Sequence, residues 1–262
     1  MNNLASDDVA ITPPDINTPL IKSKRRVQKH GEVFTPTWMV NKMLDTPGIK
    51  EACETLEATF LEPGAGEGAF LVEILKRKLT LVTKLYNNDI LTFENHALFT
   101  LTTLYGIELL EDNAQICTMN LYRIFDDFYH QAIQQHGAYR KPEVLSSAMV
   151  IIATNICQGN FLTKEKSSGK PIIITEWKSP SNIGKVKTIQ IDRTEYTLDE
   201  IQQGITKPLG TIYSDSARTG QMSLFMDFSG ESSKESPKFE YVRTKISNVH
   251  KEEKEMREQD GD

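Results

Sequence analysis

Glu62-Pro63-Gly64-Ala65-Gly66-Glu67-Gly68-Ala69-Phe70 follows directly on the apolar stretch Ala58-Thr59-Phe60-Leu61. An acidic residue, a proline and three glycines therefore stand where a strand meets a helix. Glycine lacks a Cβ, so the backbone can turn tightly and approach a ligand closely, and Pro63 stiffens the exit from the strand. Such a turn suits a nucleotide-like cofactor. Gly64, Gly66 and Ala69 match the dinucleotide pattern that ends in alanine, but that pattern also needs an acid about 20 residues on to hold a ribose. The acid at a strand end here, Glu108 in Tyr105-Gly106-Ile107-Glu108, lies about twice that far away. Glu62 beside the glycines would also repel a pyrophosphate. S-adenosylmethionine (SAM) removes both conflicts, because it has no phosphates and its sulfonium and ammonium favour a nearby carboxylate. Glu62 or Glu67 then serves the methionine end, Glu108 accepts from the two ribose hydroxyls, and Leu109 and Leu110 wall the adenine.

The elements around these residues follow from periodicity and punctuation. Thr37 to Leu44 can start a helix after Pro36, with Trp38, Val40, Met43 and Leu44 on its apolar face. Thr59 to Leu61 reads as a strand and Ala69 to Leu85 as an amphipathic helix. A helical stretch over 91–104, a strand over 103–107 and a long helix over 112–128 come next, then a helix over 143–153 and a short strand over 155–157. The β-branched run Pro171-Ile172-Ile173-Ile174-Thr175-Glu176-Trp177 reads as a buried strand. Lys185 to Ile191 alternates like a hairpin strand, and Thr197 to Gln203 suits a short helix. Strands alternating with helices predict an α/β fold with a mostly parallel sheet and helices on both faces.

The chain has 262 residues with 30 Lys and Arg against 36 Asp and Glu, a formal charge of −6 that argues against indiscriminate coating of nucleic acid. A local exception is the basic run Lys22, Lys24, Arg25, Arg26 and Lys29, which suits either a solvated arm or phosphate contact. Residues 1–30 lack periodicity and are expected to form a flexible basic arm, 31–228 the folded domain, and 229–262 a charged, disordered tail. Cys53, Cys117 and Cys157 have neither zinc nor disulfide spacing and read as reduced thiols, with no metal expected. No apolar run is long enough to span a bilayer and the amino terminus is polar, so a cytoplasmic protein without membrane contact is expected.

Together with Gly31-Glu32-Val33-Phe34-Thr35-Pro36, these segments resemble the DNA adenine-N6 methyltransferases of restriction-modification systems, in particular their small methylation subunits. The resemblance covers residues 22–178 and rests mainly on Gly31 to Pro36 and Glu62 to Phe70. It implies a class I SAM-dependent methyltransferase fold, Rossmann-like, with DNA as partner. By the same analogy Phe34, Thr35, Pro36, Glu62, Pro63, Gly64, Gly66, Gly68, Glu108 and Leu109 contact SAM. The family's Gly-Asp pair near the adenine ring corresponds to Gly159-Asn160-Phe161, where asparagine keeps an acceptor but loses the charge.

The chain departs from the family at the catalytic tetrapeptide, Asp or Asn followed by Pro-Pro and an aromatic, which occurs nowhere in it. In the family that segment hydrogen-bonds the exocyclic amine and stacks a flipped base. By position, Glu176 and Trp177 take its place as catalytic candidates, Glu176 accepting amine hydrogens and Trp177 stacking the base. A strand-end tryptophan also suits a core position. Two readings follow: a SAM-dependent DNA adenine-N6 methyltransferase or methylation subunit, and a SAM-binding but inactive subunit supporting a separate methylase or nuclease. A partner methylase, specificity or nuclease subunit is plausible in both. Finally, Gln221-Met222-Ser223-Leu224-Phe225 resembles the pentapeptide with which bacterial repair proteins dock on the sliding clamp, with Gln221, Leu224 and Phe225 as anchors.

Overall fold

The computed structural model describes residues 22–30, 32–214 and 239–256. The clamp-like segment at Gln221, Leu224 and Phe225 lies outside the described residues, as do residues 1–21 of the expected arm. Helices α1 (Lys24–His30), α2 (Thr37–Leu44) and α3 (Ile49–Cys53) lead into strand β1 (Phe60–Glu62). After the glycine turn come α4 (Ala69–Leu85), α5 (Ile90–Leu101), β2 (Leu104–Glu108), α6 (Glu111–His136), α7 (Pro142–Asn155) and β3 (Ile156–Gln158). Local chemistry sets these bounds. Gly68 enters α4 from the left-handed region at φ +86, and Asp89 caps α5 by accepting from Thr92 N at 3.0 Å. Gly137, left-handed at φ +57, ends α6, and Pro142 opens α7.

β1, β2 and β3 form a parallel sheet in that order, with Leu61 opposite Tyr105 and Ile107 opposite Cys157. Strand order that never reverses, with crossovers of the usual right hand, sends every connecting helix to one face. The core agrees: Leu71, Leu75 and Leu79 of α4, Leu98 of α5, Leu121 and Phe125 of α6 and Ile151 of α7 share one buried cluster with Leu104 and Ile156. Lys78 of α4 is also fully buried, its ammonium donating to the carbonyls of Thr55 and Leu56 at 3.0 and 2.9 Å and to Thr103 Oγ1 at 3.0 Å. It ties the segment before β1 to α4.

The other face differs from the expected helical layer. β4 (Ile173–Lys178) pairs antiparallel with β5 (Gln190–Thr197), which continues into α8 (Leu198–Gln202). Ile172, Ile174 and Leu198 pack there against Ile107 and Cys157. β4 also runs against the parallel strands. Cys157 Sγ donates to Ile173 O at 3.2 Å, whereas Trp177 Nε1 donates to Asn155 Oδ1 at 2.9 Å, so β4 starts beside the middle of β3 and finishes beside the residue that precedes it.

The expected tail is corrected as well. Phe239–Tyr241 (β6) pairs with Lys254–Met256 (β8), and Thr244–Lys245 (β7) pairs with β5. Ile246 and Val249, in the 3-10 turn that follows β7, are buried in the main core. No helix among the described residues is long and apolar enough to cross a membrane.

Candidate functional site

The glycine turn sits at the carboxyl end of the parallel sheet. Ala65 N donates to Ile107 O at 3.1 Å and Gly68 N to Ala65 O at 2.8 Å, which folds the turn back onto β2. Glycine is required at two of its positions. Gly66 has φ +54, and a Cβ on Gly68 would lie 2.6 Å from Cys117 Sγ. Gly64 has neither constraint, and a Cβ there would meet nothing within 4 Å because the residue faces open space.

That space is a cavity with two lobes that share Val33, Phe34, Gly64 and Gly66. The larger, about 770 Å³, is walled by Thr35, Thr37, Glu62, Glu67, Phe70 and, from α6, Asn120, Arg123 and Asp127. The smaller, about 450 Å³, is walled by Pro63, Glu108, Leu109, Leu110, Asn160 and Phe161. Both volumes lie within the range that holds cofactor-sized molecules. The structure thus brings together Phe34, Thr35, Glu62, Pro63, Gly64, Gly66, Glu108, Leu109, Asn160 and Phe161. Pro36 lines neither lobe and starts α2, and Gly68 lies beneath the turn against Cys117.

Two carboxylates dominate the chemistry. Glu62 has no partner among the described residues, and burial pushes its carboxyl up to about 7. Glu108 is buried and already engaged, Oε2 accepting from Gly66 N at 2.8 Å and Oε1 from Leu110 N at 2.9 Å. A carboxylate oxygen has a second lone pair, so each can still accept from a ligand hydroxyl. Asn160 is partly committed too, its Oδ1 accepting from Leu162 N at 2.9 Å to close the local turn.

The basic run expected to be a mobile arm is, over Lys24–His30, a helix pinned beside this cavity, with Lys22 just before it in the cavity wall. Lys22 Nζ lies 2.7 Å from Glu67 Oε1, 2.6 Å from Asn113 Oδ1 and 5.7 Å from the centre of the Phe34 ring. Arg26 forks onto Glu32 at 2.8 Å and onto Asp112 at 2.9 Å. Together these neighbours hold the Glu32 carboxyl below its usual range, the Arg26 hydrogen bond being the largest cause. Sequence reading missed Lys22, Glu32, Asn113, Asn120 and Arg123 as cavity residues. The available signal was the acidic first turn of α6 directly after Glu108-Leu109-Leu110.

Glu176 and Trp177 are not part of this site. The direction of β4 carries both to the amino end of the parallel strands, away from the glycine turn. Trp177 is buried in the main core with its indole N–H bound to Asn155, which leaves no face for a base. Glu176 pairs with Lys178 at 3.0 Å and lines a separate cavity. The expectation that this pair handles a base is therefore corrected. Comparison of the chain with protein-family models, with curated proteins and with solved structures returned no match.

Proposed function

We propose that the chain is a SAM-binding methylation subunit of a DNA adenine-N6 methylation system, with the groups that receive the base contributed by a partner chain. The observation that carries this reading is the two-lobed acidic cavity above the glycine turn, with Glu62, a carboxylate without a partner among the described residues, in one lobe and the buried Glu108 in the other. The adenosine half fits the smaller lobe, between Leu109 and Phe161 and within reach of Glu108. The methionine end fits the larger lobe, where Glu62 offers a counter-charge to the sulfonium and ammonium. When bound, SAM supplies the methyl group. The chain's own residues orient it and compensate its charge. Glu32, Glu62, Glu67, Glu108 and Asp127 around the lobes disfavour a pyrophosphate cofactor. On this reading β1, β2 and β3 are one half of a class I methyltransferase sheet.

The partner is invoked because neither the chain's sequence nor the cavity provides the base-holding tetrapeptide, and its positional substitute lies at the opposite end of the sheet. Calorimetry with SAM followed by transfer of labelled methyl to unmethylated DNA tests both parts. Binding without transfer by the chain alone is expected. Absence of SAM binding overturns the reading, and transfer by the isolated chain overturns the need for a partner.

A further inference from the structure

The ammonium of Lys22 touches both lobes of the cavity. It is 2.7 Å from Glu67 Oε1 in the larger lobe, donates to Asn113 Oδ1 in the smaller lobe at 2.6 Å, and lies 5.7 Å from the centre of the Phe34 ring, which both lobes share. A carboxylate and an aromatic face around one positive charge are the groups with which proteins recognise ammonium ions and related cations. In this structure the chain's own side chain holds that place.

The hold is a light one. The Lys22 and Glu67 side chains are 26% and 31% exposed, so water reaches the pair and it contributes little to stability. Behind it, Asn113 Nδ2 donates to Glu32 Oε1 at 2.6 Å, and Arg26 bridges Glu32 and Asp112, whose Oδ2 is also 3.4 Å from Lys22 Nζ. These contacts close a ring through Lys22, Asn113, Glu32, Arg26 and Asp112. Withdrawal of Lys22 removes two links of that ring, so the docking of α1 loosens with it.

We infer that Glu67, Asn113 and Phe34 form a site for the ammonium or sulfonium of a ligand, and that Lys22 is its internal competitor, displaced together with α1 when the ligand enters. The assignment of SAM as that ligand rests on the methyl-transfer reading, whereas the site itself requires only a positive charge. With adenosine in the smaller lobe and the methionine end in the larger, SAM crosses the junction that Lys22 holds. Glu62 then serves one of its positive centres and Glu67 the other.

Acetylation of Lys22 by acetic anhydride, read by mass spectrometry against the exposed Lys24 and Lys29 of α1, reports the displacement. A ligand that merely covers Lys22 slows its acetylation, and one that displaces it speeds it. SAM, and separately the trimethylsulfonium ion, should each raise Lys22 labelling about twofold or more over sodium chloride at equal ionic strength. Lys22→Met keeps the apolar stem without the charge, and should bind SAM about twofold to fivefold tighter by calorimetry. Weaker or unchanged binding by Lys22→Met would overturn the competitor role. SAM binding that leaves Lys22 labelling unchanged or lowered would overturn this inference and spare the cofactor reading. Labelling raised by trimethylsulfonium in a chain that does not bind SAM would do the reverse, and labelling raised by neither would overturn the cation site.

Discussion

Burial alone moves the Glu62 carboxyl from its ordinary 4.5 to about 7, so the free protein carries a proton there at pH 6 and has lost it at pH 8. A cationic ligand favours the ionised form. Below about 7, binding must expel the proton, and affinity for SAM falls by up to about tenfold per pH unit. SAM is expected to bind more tightly at pH 8 than at pH 6, with proton release at pH 6 visible by calorimetry in buffers of different ionisation enthalpy. Glu62→Gln should bind more weakly and without this pH dependence; equal affinity at both pH values in the unmodified chain would refute the assignment. The linked effect on folding has the opposite slope: because the folded value is raised, the stabilisation from this group is complete below about 4.5 and is lost as pH rises through about 7. Glu108 poses a different question, because it holds the turn as well as the ligand. Glu108→Ala leaves the amides of Gly66 and Leu110 without their acceptor, and should destabilise the fold by about 1–3 kcal/mol and weaken SAM severalfold. Denaturant melts and calorimetry on the same preparation separate the two effects, and unchanged SAM affinity would remove Glu108 from the ribose.

Helix α1 has only seven residues, too few to persist by its own hydrogen bonds, so its docking depends on Lys22 and Arg26 reaching Glu67, Glu32 and Asp112. Such pairs are partly exposed and screened by salt. Asp112→Asn should therefore speed tryptic cleavage at Lys24, Arg25 and Lys29, and about 0.5 M salt should do the same to the unmodified chain through the shorter Debye length. Cleavage rates followed by mass spectrometry check this, and equal rates would show that α1 is held by something other than charge. The same helix illustrates what a sequence conceals. Its carboxylate partners at positions 67 and 112 are remote in the chain, so a run of cations reads as a solvated arm. By contrast, α4 was legible to the residue because its punctuation is local: a glycine before Ala69 and an unbroken apolar stripe to Leu85. The run that became β4 was legible as a strand, but β-branched residues favour parallel and antiparallel pairing alike. Its direction comes from pairing with β5, where Ile173 faces Thr197 and Lys178 faces Asp192. That one choice places Glu176 and Trp177 far from the glycine turn.

Three parallel strands taken in sequence order leave helices on one face only, so the other face must be covered by something else, and β4, β5 and α8 do so. The main core is completed from a further source. Residues 239–256 are rich in charge, and their average composition hides the two that matter: Ile246 is fully buried and Val249 nearly so. Backbone bonds fix the segment in place, Ile246 N donating to Ile189 O at 2.9 Å, and Ser147 Oγ of α7 donates to Ser247 O at 2.8 Å. The segment is therefore a wall of the same core that supports α5 and α7, and those helices in turn precede β2 and β3, whose carboxyl ends carry Glu108 and Asn160. Ile246→Ala deletes buried methyl groups at a site closed by α5 and α7, and should cost about 2–4 kcal/mol, lowering Tm by about 5–12 °C in a chain of this size. Met256→Ala, which removes an exposed side chain from β8, should stay within about 0.5 kcal/mol. Thermal melts of the two variants decide the matter: if both are equally mild, residues 239–256 are an appendage to the core, and if only Ile246→Ala is severe, they are part of the scaffold that holds the cavity.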